Sequence, residues 1–276
     1  MANFPQVFDR SLYLARQAHA NSEALHMLDT RIAEDLHDRF SLITRNFETA
    51  LLLAPRPQTL LQAFATPQKF GRVVTKYPQD GDNLQLTAKS FSAIVSVLDL
   101  HAINDVPGYM AQLANALQPD GLAVFVFFAG ETLRELREAW LAAEQAVSGG
   151  ASPRVAPMID LKEAGGLLQR AGLALPVADV DRATLRYTTP LALMREIKSC
   201  GLANCLHGRA RTFASKRLLI EATTRYPLDA DGRISTTVEI AWALAWKPHP
   251  SQQQPLKPGS AKARLADALN VNEIKL

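Results

Sequence analysis

Two cysteines, Cys200 and Cys205, are all the thiol chemistry this chain has. Two thiols do not make a disulfide framework, and their spacing matches no common zinc pattern. Both are expected to be reduced. The longest apolar run, residues 122–129, is far too short to cross a bilayer. A dominant charge is missing too: 30 Lys and Arg against 27 Asp and Glu leave a net charge of +3, which gives no basis for a nucleic-acid partner. The opening Met1-Ala2-Asn3-Phe4-Pro5-Gln6 has no apolar signal core and no Arg- and Ser-rich transit character. These absences together predict a cytoplasmic protein. No two-histidine-plus-carboxylate cluster, His-x-x-x-His pair or nucleophile elbow occurs, so neither a metal nor a covalent nucleophile is expected. Glycine is absent from Leu51-Leu52-Leu53-Ala54-Pro55-Arg56-Pro57, where two prolines follow a run of strand character.

What is present is ordinary for a globular chain of 276 residues, with 47% apolar and 21% charged residues. Apolar residues at three- and four-residue steps predict helix over residues 9–40. Strands are predicted over 47–53, 72–75, 91–98 and 122–128, with extended character over 173–187 and a long final strand over 234–246. Between them, helices are predicted over 58–64, 106–117, 131–147, 160–170, 191–203 and 210–226. The alternation argues for an α/β fold, a doubly wound and mostly parallel sheet covered on both faces. In such sheets the ligand crevice lies at the carboxyl ends of the strands. The candidate crevice positions are then 53–57, the turn around Asp80, the segment after Leu98, and 129–132. Residues 247–262, with four prolines and three consecutive glutamines, read as an extended tail.

Several segments carry a resemblance. Val7-Phe8-Asp9-Arg10, Arg45-Asn46-Phe47, Ser96-Val97-Leu98-Asp99-Leu100-His101 and Asn104-Asp105-Val106-Pro107 are four of them. Leu117-Gln118-Pro119-Asp120-Gly121, Gly130-Glu131-Thr132-Leu133-Arg134-Glu135-Leu136-Arg137 and Gly149-Gly150-Ala151-Ser152-Pro153 are three more, and Pro250-Ser251-Gln252 with Gly259-Ser260-Ala261 completes the set. Together they resemble the S-adenosylmethionine (SAM) methyltransferase-fold assembly factors of respiratory complex I. That family includes the mitochondrial member that supports arginine hydroxylation of a complex I subunit. More distantly, the chain resembles the O-methyltransferases that act on malonyl-acyl-carrier protein. The resemblance implies a class I, methyltransferase type 11-like, Rossmann-like fold with an antiparallel last strand.

Three departures stand beside it. The family's D-x-G-x-G turn, which presents N–H groups to the cofactor, is replaced by Pro55 and Pro57. The stretch from Leu53 to Phe91 is short for the family, enough to lose one strand–helix unit. If 72–75 is the second strand, Lys76 stands where an acidic residue usually holds the ribose. On the resemblance and the crevice rule, Leu53, Ala54, Pro55, Asp80, Leu98 and His101 are the candidate cofactor-binding residues. Asp80 also has a plain turn-forming reading, and His101 that of a satisfied polar residue. Asp9, Arg10, Gly130, Glu131, Thr132 and Ser152 are the candidate substrate or partner residues. Against this, Glu131 and Thr132 suit an ordinary helix start, and Asp9 and Arg10 suit a surface pair.

Two functions stay open on the sequence. One is a SAM-dependent methyltransferase with an unnamed acceptor, acting on or assembling a subunit of NADH:quinone oxidoreductase, complex I. The other is a non-catalytic assembly or binding factor of the same fold that has lost tight SAM binding. The expected organisation is a helical cap (1–46), an α/β domain (47–246) with a helical insertion near 190–226, and a tail (247–276).

Overall fold

Strand β1, Phe47–Leu53, reads Phe-Glu-Thr-Ala-Leu-Leu-Leu, and its last four residues are buried. Successive side chains on a strand point to opposite faces, so burial of the whole run requires cover on both sides. The computed structural model, which describes residues 6–20, 23–65, 69–79 and 83–253, supplies that cover. On one face, Leu52, Val95, Val124 and Trp242 pack against Ile32, Leu36 and Phe40 of a long helix. On the other, Leu51, Ile94, Phe125 and Ala243 pack against Met110, Leu113 and Leu168.

The helices and strands run α1 (Arg10–Ala18), α2 (Glu23–Leu42), β1, α3 (Pro57–Leu60), β2 (Phe70–Lys76), β3 (Phe91–Val97), α4 (Val106–Ala116), β4 (Leu117–Phe128), α5 (Arg134–Ser148), α6 (Leu161–Arg170), β5 (Ala174–Tyr187), α7 (Pro190–Ser199), α8 (Lys216–Thr224) and β6 (Ile234–Trp246). The six strands form one sheet in the order β2-β1-β3-β4-β6-β5. Strands β2, β1, β3 and β4 are mutually parallel. Strand β6 runs antiparallel to β4, and β5 antiparallel to β6. This is the expected doubly wound α/β sheet with a reversed last strand. The middle of the row falls between β3 and β4, with β1 one place inside the edge.

Local boundaries shift where side chains or special torsions intervene. The continuous helix predicted over 9–40 is two helices, since α1 ends at Ala18 and α2 begins at Glu23. The helix predicted over 106–117 ends at Ala116, and Gln118-Pro119-Asp120-Gly121 lies inside β4. Asp120 takes a left-handed φ of 62°, its N–H donates to the Lys247 carbonyl, and the Lys247 N–H donates back to Gly121. Helix α5 starts at Arg134 rather than Glu131, because Gly130 to Leu133 is stitched to β6 instead. Helix α8 starts at Lys216, capped by Ser215, so residues 210–215 are not helical.

Two smaller cores complete the packing. Leu136 and Trp140 of α5 meet Leu193 of α7 and Leu218 of α8. Phe8 and Tyr13 meet Ala102, Cys205 and Leu206. Through the second core, α1 and the segment after α7 close on each other over the carboxyl ends of the parallel strands. Arg16 donates to the carbonyls of Ala203 and Asn204, and Gln17 to those of Cys200 and Gly201. Among the described residues, no helix is long and apolar enough to cross a membrane.

Candidate functional site

The carboxyl edge of the parallel strands is walled by the chain's own polar side chains. At the end of β1, Leu53 and Ala54 are fully buried, and the Ala54 N–H donates to the Lys76 carbonyl at 3.2 Å. Pro55 and Arg56 follow, and Pro57 opens α3. The Arg56 guanidinium turns back under the cap. It donates to both carboxylate oxygens of Asp29 at 2.6 and 3.0 Å and to the Gln17 side chain at 2.6 Å. Strand β2 ends on Lys76, whose ammonium donates to the Leu84 carbonyl.

Strand β3 delivers the second cluster. Leu98 adopts a left-handed φ of 50°, and its carbonyl accepts the Tyr13 hydroxyl at 2.8 Å. Asp99 is fully buried and forms an ion pair with Arg10. Its other oxygen accepts the Tyr109 hydroxyl at 3.2 Å, which also meets the Ser96 hydroxyl at 2.9 Å. Arg10 further donates to the Gln79 carbonyl at 3.3 Å and lies over the Tyr13 ring. Burial pushes the Asp99 carboxyl above the ordinary carboxylate range, and Arg10 pulls it back in part. Burial does the same to Asp29, opposed by Arg56.

His101 sits in a 3₁₀ turn after β3. Its ring meets Tyr13 edge-on at 5.0–5.8 Å together with Phe128, the His101–Tyr13 centroids being 5.8 Å apart and the His101–Phe128 centroids 5.0 Å. Neither ring nitrogen has a hydrogen-bond partner among the described residues. Burial, assisted by the Arg10 and Arg56 charges, pushes its pKa down to about 3, so the ring is neutral.

Beside this edge lies a cavity of about 740 Å³, bounded by His101, Phe128, Tyr13, α2, β5, β6 and the middle and end of α7. Thr132 lines it, with its hydroxyl engaged by the Glu239 backbone at 3.0 and 3.1 Å. Glu131 points elsewhere: its N–H meets the Glu239 carboxylate and its side chain pairs with Arg134. The structure thus brings Arg10, Leu98, His101 and Thr132 to the edge and cavity, with Leu53, Ala54 and Pro55 a strand away. Gly130 lies in the stitched segment after β4. Asp9 caps α1 through the Leu12 N–H and pairs with Arg209. Ser152 holds the buried Glu144 together with Arg154. Asp80 lies outside the described residues.

Sequence reasoning missed Asp29, Tyr13 and Tyr109, and it placed Arg56 and Asp99 within crevice segments without giving either a role. One signal was available. Asp29 occupies a core position on α2, in step with Leu25, Ile32 and Leu36, and an acid on an apolar stripe needs a buried partner.

No protein-family model matches the chain. The "Arginine-hydroxylase NDUFAF5, mitochondrial" of Danio rerio is 32% identical over 198 residues, covering 71% of this chain and 62% of the relative. The Homo sapiens protein of the same name is 31% identical, covering 71% of this chain and 57% of the relative. The chain thus spans about three fifths of the length of these relatives. The "Malonyl-[acyl-carrier protein] O-methyltransferase" of Laribacter hongkongensis is 31% identical over 211 residues, covering 76% of this chain and 69% of the relative. The chain belongs to the class I methyltransferase superfamily. The fold agrees. The crystal structure of the YcgJ protein of Bacillus subtilis superposes with a TM-score of 0.50 at 12% identity, covering 78% of this chain and 99% of that one. The BH2331 protein of Bacillus halodurans, assigned as a methyltransferase, gives 0.52 at 13% identity, covering 79% and 99%. As a class I methyltransferase-fold chain, this protein has six strands where β2, ending at Lys76, is the edge strand.

Proposed function

We propose that this methyltransferase-fold chain is a binding factor for assembly of NADH:quinone oxidoreductase, with SAM held weakly or not at all. The observation that carries the reading is the self-filled strand edge. Arg10 on Asp99 and Arg56 on Asp29 place two guanidinium groups of the chain's own against the carboxyl ends of β1 and β3. A glycine turn would meet the methionine carboxylate and ribose of SAM with N–H donors. Here Pro55 and Pro57 have none, the Ala54 N–H is already used within the sheet, and β2 ends on a cation, Lys76, rather than an acid that accepts ribose hydroxyls. These residues do not fit that mode of holding the cofactor. The link to complex I rests on the resemblance and on the relatives named NDUFAF5.

One observation favours the second reading, a methyltransferase with an unnamed acceptor: a cavity of about 740 Å³ adjoins the strand edge, where a substrate pocket would lie. Calorimetric titration of SAM and S-adenosylhomocysteine into the full chain decides between them. The binding-factor reading expects dissociation constants no tighter than about millimolar to high micromolar, roughly −4 to −6 kcal/mol. A sub-micromolar constant, or SAM carried through purification, would overturn it in favour of the enzyme.

A further inference from the structure

The cavity has a chemistry of its own, independent of whether SAM binds. Its walls are built by the two-residue period of two neighbouring strands. Ala183 and Leu185 of β5 and Val238 and Ile240 of β6 face it together, opposite Leu28 of α2 and Leu136 of α5. The strand walls are therefore aliphatic, and Tyr13, Phe128 and Tyr187 add aromatic rings, while Arg31, Asp181 and Arg186, all substantially exposed, line it together with Arg154, 19% exposed, and Glu196. Those charges are of mixed sign, and each of the three cations already has a carboxylate partner: Asp181 for Arg31, Glu144 for Arg154 and Asp229 for Arg186. They do not mark the site for an anion. Met27 and Leu185 also line the cavity and are exposed, at 66% and 41%, which gives an apolar way in. At about 30 Å³ per non-hydrogen group, the volume has room for an elongated molecule of up to about twenty-five heavy atoms.

Among the described residues, two buried polar side chains line the cavity with nothing to bond: the Thr236 hydroxyl of β6 and the His101 ring, which is 6% exposed and has both nitrogens without partners. A buried polar group left unpaired is costly, and a ligand atom at His101 would relieve that cost. The neutral imidazole offers one N–H donor and one acceptor. It has no net charge to compensate a carboxylate, and the nearby Arg10, paired with Asp99 through Nη2 and with its Nη1 unpartnered among the described residues, does not line the cavity. We propose that this cavity holds the aliphatic chain of a neutral lipid-like molecule whose hydroxyl or carbonyl oxygen hydrogen-bonds His101. Aliphatic walls supply the affinity by burial, and the single imidazole selects a neutral head over a charged one.

The test uses the full chain with isotope-labelled histidine, titrated with 1-dodecanol and separately with sodium dodecanoate at about pH 8, where the acid is ionised. The readouts are the His101 ring nitrogen signals and the melting temperature. Dodecanol is expected to move the His101 signals saturably and to raise the melting temperature, while dodecanoate binds at least about tenfold more weakly. Ala183→Phe, which fills the cavity from β5, is expected to abolish the dodecanol response. Leu185→Trp, two residues further along β5 on the same wall, is the second block if the first variant does not fold. His101→Phe is expected to keep chain binding and lose the preference for the alcohol. No saturable response up to the solubility limit of dodecanol, equal binding of dodecanoate, or full binding by a folded blocking variant would each overturn the proposal. None of these outcomes depends on SAM, so failure here is distinguishable from failure of the assembly-factor reading.

Discussion

At the scale of single residues, the carboxyl edge is governed by buried charge. Asp99 is fully buried and Arg10 nearly so. Breaking such a pair strands the remaining charge in a poor solvent, which costs far more than the pair contributes while intact. Arg10→Ala is therefore expected to lower stability by about 3–5 kcal/mol in urea unfolding. The double variant Arg10→Met/Asp99→Leu should recover most of that loss, because no charge is left unpaired. If the double variant is as unstable as the single one, the pair is not the cause. His101 sets an acid-side dependence with a definite sign. Its pKa is about 3 in the folded protein and about 6.5 when unfolded. Between these values the unfolded chain takes up a proton that the native ring refuses, so stability is full above about pH 6.5 and falls as the pH drops toward 3. Asp99 and Asp29, raised by burial, act in the opposite sense, since stability falls as the pH rises through their titration. His101→Phe should flatten the decline between about pH 6.5 and 4 and leave the curve near pH 8 almost unchanged. An acid limb as steep as wild type would show that other groups set it.

At the scale of elements, the decisive contact is between α1 and the end of α7. Gly201 follows α7 with a left-handed φ of +68°, and a Cβ there would sit 2.7 Å from the Arg16 carbonyl. Its own carbonyl accepts the Gln17 side chain at 3.0 Å. Both torsion and space thus require glycine. Gly201→Ala is expected to cost about 1–3 kcal/mol and to loosen the cap. Urea unfolding measures the cost, and faster hydrogen exchange at the amides of α1 reports the loosening. Unchanged stability would mean that the two segments separate without penalty. The same joint explains why the helix predicted over 9–40 is interrupted: α1 must stop at Ala18 for its last turn to lie against Gly201.

At the scale of the whole molecule, the two ends of the sheet divide the work. The cap and the α7–α8 segment cover the carboxyl ends. Residues 247–253 leave from the other end: Gln252 donates to Asp120 and to the Lys247 carbonyl, beside the start of β4. The resemblance predicts that residues 247–262 fold back across the crevice mouth together with the Phe8-Asp9-Arg10 end; the part that is described, 247–253, sits instead beside the start of β4, and 254–262 lie outside the described residues. Truncation after Lys247 removes the Gln252 contacts and little else of the described packing. It should shift the melting temperature by only a few degrees, about 1 kcal/mol or less. On the assembly-factor reading it should also abolish rescue of complex I assembly in a strain lacking the gene. A truncated chain that rescues fully would leave the tail a linker.

The strand–helix alternation, the doubly wound sheet and the long last strand were legible in the sequence, because each depends on local periodicity and on runs buried on both faces. Lys76 at the end of β2 and the missing glycine turn were legible in another way, as departures from the pattern of the family that the chain resembles. Only the tertiary structure decided what fills the strand edge. Arg10 and Asp99 lie 89 residues apart, and Arg56 and Asp29 lie 27 apart, separations over which no periodicity carries information. The cavity was likewise invisible, since its walls come from seven helices and strands whose facing sides are set by strand order. Local patterns specify which face of an element is apolar. Which apolar faces are brought together, and which buried charges meet there, is settled only when the whole sheet is assembled and the desolvation of each charge has to be compensated by a neighbour in space.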